Sequence, residues 1–238
     1  MDTKLLAFRT LYNKVKDQQH LDMTLTTLMF STLVYFSEDF IYKIAGEIGA
    51  TEVTVQQVEG IRFFSLKYRG EQFVSFRGTE ASLWSNWKRI LNFIPKRSYG
   101  NRKAHRGFIM ALEDCQNLLI PLINQSKSVI FTGHSLGGAL AILATERFGG
   151  TAITYASPQV FFREKVLNKI SYIGYRVIGD FVPHLPPTIL FLDWSRAKPE
   201  FWTAYKSWFI NPFGYHRVST YITVMMEYID ATSNGGKK

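Results

Sequence analysis

The sequence predicts an α/β fold with a mostly parallel central sheet, flanking helices and an antiparallel leading hairpin. From residue 128 onward, strand-like and helix-like segments alternate, an order typical of a parallel sheet covered by helices on both faces. Before that point, three β-rich runs separated by short turn sequences predict an antiparallel hairpin at 54–77. The chain has 238 residues, of which 46% are hydrophobic, so it is long enough to bury one large core.

Hydrophobic periodicity gives the individual elements. The predicted helices are 4–16, 21–36, 38–48, 107–124 and Leu136–Phe148, with further helix-like segments at Phe161–Ile170 and from Pro199. The predicted strands are Thr54–Val58, Ile61–Tyr68, Gln72–Phe76, Ser128–Thr132, Thr151–Tyr155 and Ile173–Ile178. Since no linker divides the chain, we expect one domain over 1–232 and a disordered tail at 233–238.

Composition excludes several classes of protein. Cys115 is the only cysteine, which excludes an intrachain disulfide framework and a cysteine-based zinc site. We predict no metal and no organic cofactor. The first residues lack the basic and apolar regions of a signal peptide, and Met23–Phe36 is too short to span a bilayer. The expected location is therefore cytoplasmic or peripheral to a membrane, with export by a leaderless route left open.

The strongest local motif is a G-x-S-x-G sequence from Gly133 to Gly137. It follows a predicted strand and opens a predicted helix, the position of a nucleophile elbow. In such a turn, glycines permit the tight backbone and the central Ser135 exposes its hydroxyl. The motif therefore predicts Ser135 as a catalytic nucleophile.

A serine nucleophile needs a base, and the base needs an orienting carboxylate, in the chain order Ser, acid, His. Only His184 and His216 follow Ser135 in the chain. We predict Asp180, in the loop after a strand, as the acid and His216 as the base. His184 and Asp193 remain the alternative base and acid.

The reaction also needs hydrogen-bond donors for the oxyanion of the tetrahedral intermediate. The backbone N–H of Leu136 is one predicted donor, because it follows the nucleophile directly. Thr79 is the second, since the strand Phe73–Phe76 ends in an Arg-Gly-Thr sequence and Gly78 permits a tight turn.

Seven segments in this order resemble the fungal-type class three lipases of the α/β-hydrolase superfamily. They are Phe76–Thr79, Asn86-Trp87, His105–Phe108, Gly133–Gly138, Thr154–Pro158, Asp180–Pro187 and His216. The resemblance implies a serine esterase acting on acylglycerols or phospholipids, with Ser135, Asp180 and His216 as triad and Thr79 and Leu136 as oxyanion hole. It also implies a mobile lid, roughly 81–104. Ala156 departs from the glycine that the family commonly has before the Ser-Pro pair.

The net charge of +9 is concentrated near the predicted lid. Residues 81–112 carry seven basic side chains and no acid, while the rest of the chain has 21 basic and 19 acidic residues. Basic and aromatic residues alternate in this stretch, which favours contact with an anionic membrane surface over nucleic acid, although a solvated helix face has the same composition. The predicted membrane-facing residues are Trp84, Trp87, Lys88, Arg89 and Phe93.

A second aromatic region lies between the predicted acid and base, with nine aromatic residues in 191–215. A helix beginning at Pro199 would place several of them on one face. Trp202, Tyr205 and Trp208 are therefore candidates for the wall of an acyl pocket, and packing on the core is the simpler alternative.

Together these patterns predict a lipase that hydrolyses lipid esters by an acyl-enzyme mechanism. Phospholipase A1-type hydrolysis and acyl transfer to an alcohol are alternatives within the same chemistry. A catalytically silent lipase-like scaffold that binds a lipid or a protein is the alternative of another class. The sequence leaves the head group, the chain length and the oligomeric state open.

Overall fold

The computed structural model describes residues 3–20, 22–78, 94–123, 128–162, 170–186, 194–195, 200–203 and 212–233. Its helices are α1 Thr3–Lys16, α2 Met23–Leu33, α3 Glu38–Glu47, α4 Arg106–Ile123, α5 Leu136–Phe148, α6 Pro212–Tyr215 and α7 Val218–Ser233. Its strands are β1 Thr51–Val58, β2 Ile61–Tyr68, β3 Glu71–Phe76, β4 Pro95–Arg97, β5 Lys103–His105, β6 Val129–His134, β7 Thr151–Tyr155, β8 Phe161–Phe162, β9 Ser171–Val177, β10 Trp194–Ser195 and β11 Glu200–Thr203.

Seven strands form the main sheet in the order β1-β2-β3-β6-β7-β9-β11. The pairs β1–β2 and β2–β3 are antiparallel, and every pair from β3 to β11 is parallel. The predicted fold is therefore confirmed, including the antiparallel hairpin at one edge. Because the strands from β3 onward are parallel, the carboxyl ends of β3, β6 and β9 lie on the same side of the sheet.

Two hydrophobic clusters cover the two faces of this sheet. One face packs against α4 and α5, which contribute Phe108, Leu112 and Leu140. The other packs against α1, α2, α3 and α7, represented by Phe8 and Tyr221. Because both faces of the sheet are buried, the sequences of the central strands are continuous apolar runs.

A second, smaller sheet has the order β10-β8-β5-β4 and is antiparallel throughout. It contains residues 95–97 and 103–105, the described end of the segment predicted as a lid. The remainder of that prediction, residues 81–93, lies outside the described residues.

Two predicted helices contain strands instead. Residues 161–162, the start of the predicted helix Phe161–Ile170, are strand β8, and Glu200–Thr203 is strand β11 in parallel register with β9. Residues 200–203 form a strand because they pair with β9, which would otherwise be the edge strand of the main sheet. The pairing satisfies backbone hydrogen-bonding groups of β9 that a helix at 200–203 would leave unpaired. In the part of the chain that the structure describes, no helix is long and apolar enough to span a bilayer.

Candidate active site

Ser135 lies at the sharp turn between β6 and α5. Its backbone has φ 59° and ψ −128°. Residues other than glycine rarely adopt such a positive φ. Such strain is typical of a nucleophile elbow, where it presents the hydroxyl at the edge of the sheet. Only 6% of Ser135 is exposed.

The two glycines of the motif allow the turn to pack closely. A Cβ at Gly137 would overlap the carbonyl oxygen of Phe76 at the end of β3. A Cβ at Gly133 would overlap the backbone of Gly137. Any side chain at either position would therefore push the helix away from the end of the strand.

His216 joins Ser135 to Asp180. Its Nε2 lies 2.8 Å from the Ser135 Oγ, and its Nδ1 lies 2.9 Å from Oδ2 and 3.1 Å from Oδ1 of Asp180. His216 stands in the turn between α6 and α7, while Asp180 follows β9. The three side chains come from positions 81 and 36 residues apart in the chain, and the shared edge of the sheet brings them together.

The Asp180 carboxylate is buried and accepts hydrogen bonds from three directions. Besides His216, the Val182 N–H donates to Oδ1 at 3.0 Å and the Tyr221 hydroxyl donates to Oδ2 at 2.8 Å. Burial and the neighbouring Asp180 charge raise the pKa of Tyr221 well above its ordinary value, so the hydroxyl keeps its proton. These donors hold the carboxylate oriented toward His216.

Sequence reasoning missed Tyr221. It lies five residues after His216 in the apolar run that becomes α7, where a tyrosine resembles any core aromatic residue. Only its position on the first turn of α7, one turn beyond His216, could have connected it with the acid.

The structure separates the two candidate bases. His184 ends a short 3-10 turn, Val182–His184, and is exposed, whereas His216 contacts both Ser135 and Asp180. The alternative acid, Asp193, lies outside the described residues.

Of the two predicted oxyanion donors, the structure describes Leu136 alone. It is the first residue of α5, so its N–H belongs to the first turn, where no intrahelical carbonyl is available. Thr79 lies outside the described residues, as do the predicted lid residues Trp84, Trp87, Lys88, Arg89 and Phe93. Of the acyl-pocket candidates, Trp202 is placed on β11, and Tyr205 and Trp208 lie outside the described residues.

Comparison with known proteins finds similarity to lipases. Residues 73–190 match the family model described as "Lipase (class 3)". The chain is 32% identical over 153 residues to a lipase of Rhizomucor miehei, covering 55% of this chain and 41% of that protein. It is also 32% identical over 152 residues to the secreted mono- and diacylglycerol lipase 1 of Fusarium solani, covering 56% and 44%. The chain thus spans less than half the length of these curated relatives.

Solved structures show the same fold at lower identity. Lipase II from Rhizopus niveus superposes with a TM-score of 0.59 at 18% identity, covering 84% of this chain and 82% of that one. A triacylglycerol lipase whose catalytic centre is a serine protease triad superposes with a TM-score of 0.57 at 22% identity, covering 85% and 81%. These likenesses support the α/β-hydrolase fold.

The comparison also corrects one prediction. The cytoplasmic or peripheral location predicted from the sequence is wrong by this measure, because the Fusarium solani relative is a secreted protein. The prediction depended on the residues with which this sequence begins, and those residues do not decide where the protein acts.

Proposed function

We propose that this chain, whose residues 73–190 match the class 3 lipase family model, is a serine lipase that hydrolyses carboxylic esters of lipids. The observation that carries the proposal is the hydrogen-bonded series from the Ser135 Oγ through His216 to Asp180 at 2.8 and 2.9 Å. A series of these three groups in this order makes a serine hydroxyl nucleophilic.

In this proposal, the Ser135 Oγ attacks the ester carbonyl while the His216 Nε2 accepts its proton. The same proton then passes to the leaving alcohol as the acyl–oxygen bond breaks and the acyl-enzyme forms. Water, deprotonated by His216, attacks the acyl group, and the bond to the Ser135 Oγ breaks as His216 returns the proton to that oxygen and the fatty acid is released. Asp180 stabilises the imidazolium, and the Leu136 N–H, with Thr79 as its proposed partner, donates to the oxyanion.

Replacing Ser135 tests this mechanism. We expect Ser135→Ala to lower the rate of hydrolysis of mono-, di- and triacylglycerols by about a thousandfold or more, because the acyl-enzyme can no longer form. Mass spectrometry of the released fatty acids measures the rate, and the same panel, extended to phospholipids and alcohols as acceptors, distinguishes phospholipase and acyltransferase activity. Ser171→Ala, which removes an exposed hydroxyl at the start of β9, is the control and should keep full activity. Turnover by Ser135→Ala equal to that of the wild type would refute the proposed nucleophile.

We further propose that the small sheet contributes to binding an anionic lipid surface. Among the basic residues that the structure describes in 94–112, two are paired with acids: Lys96 with Glu113 at 2.9 Å and Arg102 with Glu146 at 4.0 Å. Arg97 is exposed and lies directly opposite another exposed cation in the β4–β5 register.

That second cation is Lys103, and like charges in directly opposed positions repel each other. An anionic surface facing both would relieve this repulsion. At the start of β4, an open groove of about 440 Å³ is lined by Ile94, Pro95 and Met110 together with the charged Lys96, Arg106 and Glu113, and 60% of Ile94 is exposed. Exposed apolar surface on the same strand pair as exposed cations is the composition expected where a protein meets an anionic lipid surface.

Sedimentation with vesicles tests the surface. We expect the double variant Arg97→Gln/Lys103→Gln to bind vesicles of phosphatidylcholine and phosphatidylglycerol about tenfold or more weakly, since each basic residue contributes about 1 kcal/mol near an anionic membrane. Pure phosphatidylcholine vesicles should show no such difference. The control Arg9→Gln/Lys43→Gln removes two exposed cations from α1 and α3 and should bind as the wild type does. Equal weakening by both double variants would mean that net charge alone decides binding.

A further inference from the structure

Tyr35 lies just beyond the end of α2, between the elbow and the end of β3. Its hydroxyl oxygen is 3.1 Å from the backbone nitrogen of Gly78 and 3.3 Å from the Nδ1 of His134. Gly78 is the residue before the predicted oxyanion donor, and His134 is the residue before the predicted nucleophile. One hydroxyl group therefore connects the two segments that surround the reacting carbonyl in the proposed mechanism.

The chemistry of the groups fixes the direction of one of these hydrogen bonds. A backbone N–H can only donate, so the Tyr35 oxygen accepts from Gly78. Burial, together with the neighbouring His216, lowers the pKa of His134 well below its ordinary value, so the ring is neutral. In a neutral ring the Nδ1 accepts or donates according to which nitrogen carries the proton, and the Tyr35 hydroxyl can take either part in this contact. The Tyr35 hydroxyl thus bonds to both segments.

Gly78 packs against the elbow without space for a side chain. A Cβ at this position would overlap both the Tyr35 hydroxyl and the carbonyl oxygen of His134, and it would lie 3.1 Å from the Cβ of Ser135. Gly78, two residues beyond the end of β3, therefore packs against the elbow with no room for a side chain, and a small movement of Gly78 would change the distance between the two segments.

The helix that precedes Tyr35 is itself fixed to the central sheet by hydroxyl groups. Ser31 bonds to Thr132 on β6 at 2.7 Å, and the Thr27 hydroxyl lies 2.9 Å from the Tyr155 hydroxyl on β7. The backbone N–H of Tyr35 also donates to the Thr32 carbonyl at 3.1 Å. Because α2 is hydrogen-bonded to the sheet at several points, the position of the Tyr35 hydroxyl just beyond its end is well defined, and Gly78 bonds to that hydroxyl.

We propose that Tyr35 is a positioning residue for the oxyanion hole, holding Gly78 against the elbow. The inference rests on the proposed serine lipase function, because it assigns to Tyr35 a role in that reaction. Tyr35 touches neither Ser135 nor the substrate in this role and acts through the backbone of Gly78.

The test compares Tyr35→Phe with the wild type and with Tyr175→Phe. Tyr175→Phe removes another partly buried hydroxyl, whose partner Thr24 lies at the opposite end of α2 from Tyr35, and it leaves the Ser31–Thr132 contact in place. We expect Tyr35→Phe to lower kcat about ten- to hundredfold with KM changed less than twofold, since a misplaced oxyanion donor is felt in the transition state. Affinity for a trifluoromethyl ketone, which forms the tetrahedral adduct on the serine, should fall by the same factor as kcat/KM. Tyr175→Phe should change neither quantity.

The outcomes separate the inference from the proposed function. Wild-type protein that neither hydrolyses lipid esters nor binds the ketone would overturn both. An active wild type with an equally active Tyr35→Phe would overturn the inference alone. So would a Tyr35→Phe variant whose thermal transition, followed by circular dichroism, falls below the assay temperature, because the hydroxyl would then serve folding. A loss of kcat in a variant that melts as the wild type does supports the positioning role.

Discussion

His134 is the residue whose environment differs most from what its place in the motif suggested. The sequence treats it as the variable position of G-x-S-x-G, yet it is buried, lies 4.8 Å from the His216 ring and contacts Tyr35. Burial, and then the neighbouring His216, lower its pKa well below the ordinary value of 6.5. The folded protein therefore keeps this ring neutral under conditions in which the unfolded chain protonates it.

This difference predicts a loss of stability in acid. Below pH 6.5 the unfolded state binds a proton at His134 that the folded state does not, so the free energy of unfolding falls with pH by up to about 1.4 kcal/mol per pH unit. Urea unfolding between pH 7 and 5 should show a shallower dependence for His134→Gln than for the wild type. His20→Gln, an exposed histidine, serves as the control and should keep the wild-type slope. Identical slopes for the wild type and His134→Gln would contradict the assignment.

At the residue scale, the sequence predicted the members of the candidate site that the structure brings together. Ser135 was predictable because its motif sits between a strand and a helix, and Asp180 because it follows a strand. His216 was predicted as the base with His184 as the alternative, and the structure places His216 at the site and His184 on the surface. Tyr221 had no signal beyond its spacing from His216, because its hydrogen bond to Asp180 depends on how α7 packs.

Helix α2 shows how an element predicted as a simple core helix performs a second task. Its spacing predicted an apolar face, but Thr26, Thr27, Ser31 and Thr32 are also buried. A buried hydroxyl requires a partner. The Thr27 hydroxyl lies 2.9 Å from the Tyr155 hydroxyl, and Ser31 lies 2.7 Å from Thr132, which in turn donates to the Ile153 carbonyl at 2.7 Å.

We therefore expect Ser31→Ala to destabilise the protein. The substitution leaves the buried Thr132 hydroxyl with one partner fewer, which should reduce the free energy of unfolding by about 1–2 kcal/mol. Urea unfolding with intrinsic tryptophan fluorescence measures the change. Ser171→Ala, whose hydroxyl bond to Thr151 is exposed, should stay within about 0.5 kcal/mol of the wild type. A Ser31→Ala variant as stable as the wild type would show that the hydroxyl contacts do not hold α2.

Other elements could not be predicted, for physical reasons. The strands of the small sheet are two or three residues long, too short for a period of two to appear in the sequence. At Glu200–Thr203 the aromatic spacing favoured a helix, and pairing with β9 decided for a strand. The spacing of aromatic residues within a segment carries no information about which strand of the sheet will have an unpaired edge.

At the scale of the whole molecule, the charge distribution gains detail from the structure. The excess of basic residues lies in 81–112, as counted from the sequence, but Lys96 and Arg102 form ion pairs with acids outside that range. The count of formal charges therefore overstates the positive potential of this region. The exposed cations of the β4–β5 pair carry the proposal of an anionic lipid surface.

The central claim is that Ser135 is a nucleophile activated by His216 and Asp180. The most direct measurement is covalent labelling with a fluorophosphonate, followed by mass spectrometry of the modified peptide. We predict one phosphonyl group per chain, on Ser135, in the wild type, and labelling slowed by at least about a hundredfold in His216→Ala. A wild-type protein that stays unlabelled would contradict the claim and indicate a scaffold without catalytic activity. Labelling of His216→Ala at the wild-type rate would contradict the activation of Ser135 by His216.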